Sequence, residues 1–174
     1  MKYLSIIRHA KAEPESQELE DHDRKLISKG IKRASSLAIW LSKKPSLIES
    51  LHYSSSIRTS QTADIILSEL KKNIETFIEP KLYGASQETL LNYISFIDDR
   101  INSVGIVGHQ PGLKELAVYL ANSYNDTILC GIHSVIHDIP DVVNLPSIND
   151  RGFAREVILE SVSRATVLFY NLQP

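Results

Sequence analysis

Several things are scarce in this sequence, and each scarcity excludes something. There is a single cysteine, Cys130, among 174 residues. One thiol cannot close an internal disulfide, and it fits a reducing compartment. No apolar stretch approaches the ~20 residues that a membrane-spanning helix needs. The first apolar run holds about five residues behind one lysine, below the ~7–15 of a signal-peptide core. Charge is nearly balanced at a formal −2, which gives no reason to expect nucleic acid or an anionic membrane as partner. No G-x-x-x-x-G-K loop or G-x-S-x-G elbow occurs, which argues against a P-loop nucleotidase and a serine hydrolase, and no HExxH motif supports a metal site. A cytoplasmic, soluble chain is the expectation. With 43% hydrophobic and 23% charged residues, its length suits one domain over 1–174.

Short apolar runs alternate with helical patterns. Strands are predicted at 2–7, 50–54, 75–79 and 103–107, with further ones at 132–139 and 165–171. Helices are predicted at 28–43, 57–72, 86–101 and 112–123. Ser28 serves as an N-terminal cap, Ser86 opens the third helix, and Pro111 precedes the last. The stripe Ile31, Ala34, Leu37, Ala38 and Leu41 marks the buried face of the first helix. Strands alternating with helices imply an α/β fold, a mostly parallel central sheet between helical layers. The segment 138–152 reads as a loop.

The chemistry sits where strands end. Arg8-His9 follows the first strand, Arg58 follows the second within SSSIRTSQT, and His109 follows the fourth within GHQPG. Open α/β sheets carry their working groups at the carboxyl ends of strands. An isolated arginine is usually a solvated charge, and a lone histidine is more often structural than catalytic. Three strand exits supplying two arginines and two histidines form a matched set. Paired guanidiniums bind phosphate oxygens and counter charge on a phosphoryl transition state. One imidazole kept neutral by adjacent cations can attack phosphorus, and the other can donate to a phosphate oxygen. The residues alone leave open which histidine does which.

Five stretches, IIRHAKAE (6–13), DHDRKLISKGIKRA (21–34), SSSIRTSQTA (54–63), LYGASQETLL (82–91) and IVGHQPGL (106–113), occur in an order that resembles the histidine phosphatase superfamily. Within it the chain is most similar to SixA-type phosphohistidine phosphatases. The resemblance implies a phosphoglycerate-mutase-like three-layer α/β/α sandwich. It implies His9 as the nucleophile of a covalent phosphohistidine intermediate, with Arg8, Arg58 and His109 as the phosphate pocket. No metal and no organic cofactor are implied. Ala10 stands where Arg-His is usually followed by glycine, a substitution familiar in the SixA-like group.

Secondary residues carry two readings each. Lys11 is a pocket cation or a solvated lysine. Arg24 lines the pocket or pairs with Asp21 or Asp23. Gln61 supports Arg58 from one turn further on. Glu88 is a general acid or a first-turn helix carboxylate favoured by the dipole, and the second reading is preferred. His133 and His137, four apart in a predicted strand, lie ~13 Å apart, too far to share a metal. Cys130 reads as a small buried hydrophobe. The leading functional expectation is a metal-independent phosphatase acting on phosphohistidine in a partner protein, as in a phosphorelay. The alternatives are a phosphatase of small phosphate esters and a catalytically silent phosphate-binding module.

Overall fold

The computed structural model describes residues 2–43, 48–71, 73–98, 100–122, 159–160 and 165–170. The elements are β1 (Lys2–Arg8), α1 (Ser28–Ser42), β2 (Ser50–Tyr53), α2 (Ile57–Leu70), β3 (Glu75–Ile78), α3 (Gln87–Ser95), β4 (Ser103–Gly108), α4 (Gly112–Asn122), β5 (Leu159–Glu160) and β6 (Ala165–Tyr170). They form one sheet in the order β3-β2-β4-β1-β6-β5. Every pairing is parallel except that of β5 with β6.

The continuous apolar runs of β1 and β4 follow from burial on both faces. Neighbouring residues feed opposite cores. Ile7 and Val107 pack with Leu37, Leu41, Leu51 and Ile66 under α1 and α2. Ile6 and Ile106 pack with Leu82, Leu90, Leu113 and Leu116 under α3 and α4. This is the expected three-layer α/β/α arrangement.

The topology places the site. β1 and β4 are adjacent and parallel, yet the helices that follow them, α1 and α4, lie over opposite faces of the sheet. The chain diverges there, and a crevice opens beyond the carboxyl ends of the two strands. The ladder continues one step past the strands, His9 N–H donating to Gly108 O at 3.1 Å. That bond sets His9 beside His109. Ser54 N–H reaches Val107 O at 3.3 Å and draws the exit of β2 to the same rim.

Four details depart from expectation. α1 starts at Ser28, but the cap position belongs to Ile27, extended at φ −83°, ψ 165°, and no side chain caps it. Ile31 is 46% exposed, because the buried stripe runs through Gly30, Arg33, Ala34, Leu37, Ala38 and Leu41. α2 ends at Leu70, before Lys71, which adopts a left-handed conformation at φ 49°. α3 stops at Ser95 rather than 101, although Ile97 and Ile101 still pack against the second core. There the apolar period reports the direction of the core rather than a helix. Ser86 caps α3, its hydroxyl accepting from Thr89 N–H at 3.2 Å. The strand 132–139, the loop 138–152, Cys130, His133 and His137 lie outside the described residues, whereas β6 answers to the strand expected at 165–171.

Candidate active site

A cleft of about 670 Å³ opens at the crevice, and Arg8, His9, Arg58 and His109 all line it. Their sequence separations are spanned by the strand order alone. Arg8 ends β1, Arg58 is the second residue of α2, and His109 directly follows β4.

His9 is 8% exposed. Its Nδ1 lies 2.8 Å from the carbonyl of Ala10, and a carbonyl only accepts, so the ring proton sits on Nδ1 and Nε2 keeps its lone pair. Arg58 Nε–H points at that lone pair from 3.3 Å. Burial first, then the charges of Arg58 and Arg8, push the His9 pKa down to about 4, against an opposing pull from the Ala10 bond. Both effects favour the neutral imidazole near pH 7. Ala10 is fully buried, and its N–H donates to Thr62 Oγ1 at 3.1 Å, which itself donates to Arg58 O at 2.7 Å. The β1 exit is thereby tied to the first turns of α2.

His109 faces His9 with ring centroids 5.2 Å apart. Its Nε2 meets Ser54 Oγ at 2.6 Å, and Arg58 Nη2 lies 3.3 Å from its Nδ1. Burial, then His9 and Arg58, push its pKa down to about 3. Arg8 also lines the cleft. Burial lowers its pKa, and its Nε is buried with no acceptor among the described residues.

Arg58 is aimed from outside by Asp21. The Asp21 backbone carbonyl accepts from Arg58 Nη1, and its Oδ2 accepts from Nη2 at 2.8 Å. Tyr83 Oη donates to the same Oδ2 at 2.6 Å, and Arg24 Nη1 donates to Oδ1 at 2.6 Å. These donors, Tyr83 foremost, hold the Asp21 carboxyl well below the usual carboxylate range. Tyr83 stands edge-on to His109, ring centroids 5.2 Å apart.

The secondary candidates separate. Arg24 satisfies both of its readings, lining the cleft while pairing with Asp21 and donating Nε–H to Glu13 O at 2.7 Å. Lys11 lines the cleft. Gln61 accepts from Leu26 N–H at 2.7 Å and so braces the loop before α1. Glu88 is exposed in the first turn of α3, outside the cleft lining. Sequence reasoning missed the positions of Ser54 and Tyr83, and treated Asp21 only as a partner for Arg24. No local pattern marks them, because each contact joins segments tens of residues apart. Among the described residues no three His, Cys, Asp or Glu gather into a set that could hold a metal ion, and no helix is long and apolar enough to cross a membrane.

Two arginines and two histidines thus share the cleft, with Arg58 Nε–H against the His9 lone pair. A family model described as histidine phosphatase superfamily, branch 1, matches residues 4–83. A Mycobacterium tuberculosis protein of uncharacterized function is 31% identical over 117 residues, 67% of this chain and 70% of its own. The structure of the protein histidine phosphatase SixA complexed with tungstate has a TM-score of 0.58 to this chain at 23% identity. It covers 65% of this chain and 72% of that one. A candidate phosphohistidine phosphatase SixA from Agrobacterium tumefaciens gives 0.65 at 24% identity, over 74% and 81%. These two likenesses are of fold.

Proposed function

Since this chain belongs to the histidine phosphatase superfamily, we propose that it is a phosphatase in which His9 takes up the phosphoryl group, and that its substrate is phosphohistidine on a protein. The observation that carries the reading is the orientation of His9. With Nδ1 committed to Ala10 O at 2.8 Å, the lone pair is on Nε2, beside Arg58 Nε–H at 3.3 Å in the cleft lining.

In the first step His9 Nε2 forms a bond to phosphorus as the bond to the leaving nitrogen breaks, and that nitrogen keeps the electron pair. Arg8 and Arg58 counter the charge spread over the equatorial oxygens, so the two guanidiniums supply what a metal ion would otherwise supply. In the second step water attacks phospho-His9, and the pair returns to Nε2 as phosphate leaves.

Phosphohistidine is favoured over a phosphate ester by what the cleft lacks among the described residues. An ester's departing alkoxide needs a protonated acid beside it. Asp21 is held ionised by three donors, Glu13 is turned to Lys25 N–H at 2.9 Å, Glu15, also on the lining, is turned to Arg24 Nη1 at 3.4 Å, and Glu88 is outside the cleft. The structural likeness to the protein histidine phosphatase SixA fits the same choice of substrate.

The test is phosphate release, in EDTA, from a histidine-phosphorylated protein and from a panel of small phosphate esters, with wild type beside His9→Ala. Release from phosphohistidine alone, lost in the variant, is the expected result. Faster turnover of the esters would replace the substrate, and binding of phosphate without turnover of either would replace the function with a binding module.

A further inference from the structure

The hydroxyls behind His109 form a chain whose direction can be read. Thr59 Oγ1 lies 2.7 Å from Ser54 O and 2.8 Å from Ser56 O. Carbonyl oxygens only accept, so the single Thr59 hydroxyl proton is committed to them. Its oxygen must then accept from its two serine neighbours, Ser54 Oγ at 2.8 Å and Ser56 Oγ at 2.9 Å. With its proton given to Thr59, Ser54 Oγ offers only lone pairs to His109 Nε2 at 2.6 Å. Nε2 therefore carries the ring proton.

The opposite edge of the ring agrees. Arg58 Nη2 lies 3.3 Å from His109 Nδ1, and a guanidinium only donates. Nδ1 therefore carries no proton, and its lone pair accepts from Arg58. A neutral His109 has spent its one N–H on Ser54, which leaves it nothing to donate to a phosphoryl oxygen.

The charged groups around the ring decide what happens next. Burial opposes the imidazolium most, His9, Arg58 and Arg8 disfavour it as well, and Asp21 favours it. Tyr83 presents a neutral ring edge-on. A dianion entering among the arginines offsets the two guanidiniums and offers oxygens at the position of the Nδ1 lone pair. Two acceptors then flank the ring, Ser54 and the anion, and both are satisfied only by an imidazolium.

Building on the proposed phosphatase reading, we propose that Ser54, ordered by Thr59, is a positioning residue that fixes the His109 tautomer, so that binding of a phosphoryl dianion draws a proton from solvent onto His109 Nδ1. Had Ser54 been free to donate to Nε2, His109 would already present its N–H to the cleft and no proton would be needed.

The probe is sulfate, a dianion that does not itself titrate near neutrality. The ring nitrogens of histidine-labelled protein are followed by ¹⁵N NMR, with and without saturating sulfate, and sulfate affinity is measured by calorimetry from pH 6 to 9. The free protein should show His109 protonated at Nε2 only, and the sulfate complex at both nitrogens. Affinity should weaken as pH rises, by up to about tenfold per pH unit until the pKa of His109 in the complex is passed, the linkage signature of one proton taken up. In Ser54→Ala the free His109 should show a mixture of tautomers and the pH slope should flatten. Thr59→Val should do the same to a lesser degree, since Ser54 then loses the acceptor that orders it. A free His109 protonated at Nδ1, a pH-independent affinity, or a Ser54→Ala spectrum identical to wild type would each overturn the inference. Should either variant fail to fold, the wild-type spectra alone decide. None of these readouts requires turnover. A chain that releases no phosphate but still takes up the proton would refute the phosphatase reading while leaving this one standing.

Discussion

Asp21→Asn separates two roles that a carboxylate beside a phosphate-binding arginine could have. Arg58 has five N–H groups, and four are accounted for: Nε toward His9, Nη2 toward His109 and Asp21 Oδ2, and Nη1 toward the Asp21 carbonyl. Asp21 grips the outer edge, which leaves the inner edge facing both imidazoles. On this account the carboxylate aims the guanidinium rather than competing with substrate. A hydrogen bond between charged groups contributes ~1.5–3 kcal/mol when well buried. The Asp21 side chain is 44% exposed, so solvent screening reduces this to about 1–2 kcal/mol. Asparagine keeps a carbonyl oxygen, and the backbone contact to Nη1 survives. The expected loss is therefore partial, roughly 5–30-fold in kcat, with KM nearly unchanged because aim matters most in the transition state. Steady-state kinetics on the best substrate of the panel gives both numbers. An unchanged or increased kcat would refute the reasoning, since it would mean that Asp21 occupies the place of the phosphate.

Three further outcomes are expected. His9, His52 and His109 are held neutral, with pKa values near 4, 4 and 3 against an ordinary 6.5. The unfolded chain therefore binds more protons, and stability should fall as pH drops from about 6.5 through 4, by up to ~3 kcal/mol per histidine; a urea midpoint flat between pH 7 and 4.5 would contradict this. Gly30→Ala should destabilise by roughly 1–3 kcal/mol in thermal melts, because a Cβ there would collide with the Lys11 backbone carbonyl in the loop that carries His9; an unchanged Tm would show that the loop yields freely. Glu88→Gln should leave kcat within about twofold, since the side chain is exposed and outside the cleft, and a hundredfold loss would restore it as the acid.

The sequence was most legible where burial is two-sided. β4 is buried at all six positions and appears as an apolar run, whereas β2 is buried at all four although it carries Ser50 and His52. β3 is exposed at all four positions on the sheet edge, so it carries no core pattern. The end of α3 was misread because Ile97 and Ile101 keep the helical spacing after the helix has closed. At the site, Arg8, His9, Arg58 and His109 were legible because strand exits are a place that sequence can mark. The shell that orients them was not. Ser54 reaches His109 across 55 positions, Arg58 reaches Asp21 across 37, and Tyr83 reaches Asp21 across 62. Such contacts exist only once β1, β2 and β4 lie side by side.

The central claim is that His9 carries the phosphoryl group, and one measurement meets it directly. The protein is mixed with a histidine-phosphorylated protein, quenched in alkali within the first turnover, and mapped by mass spectrometry. Nitrogen-linked phosphate survives alkali and is lost in acid. The account predicts an acid-labile phosphoryl adduct on His9, absent from His9→Ala. An adduct on His109, or phosphate release at full rate with no adduct on either histidine, would contradict it.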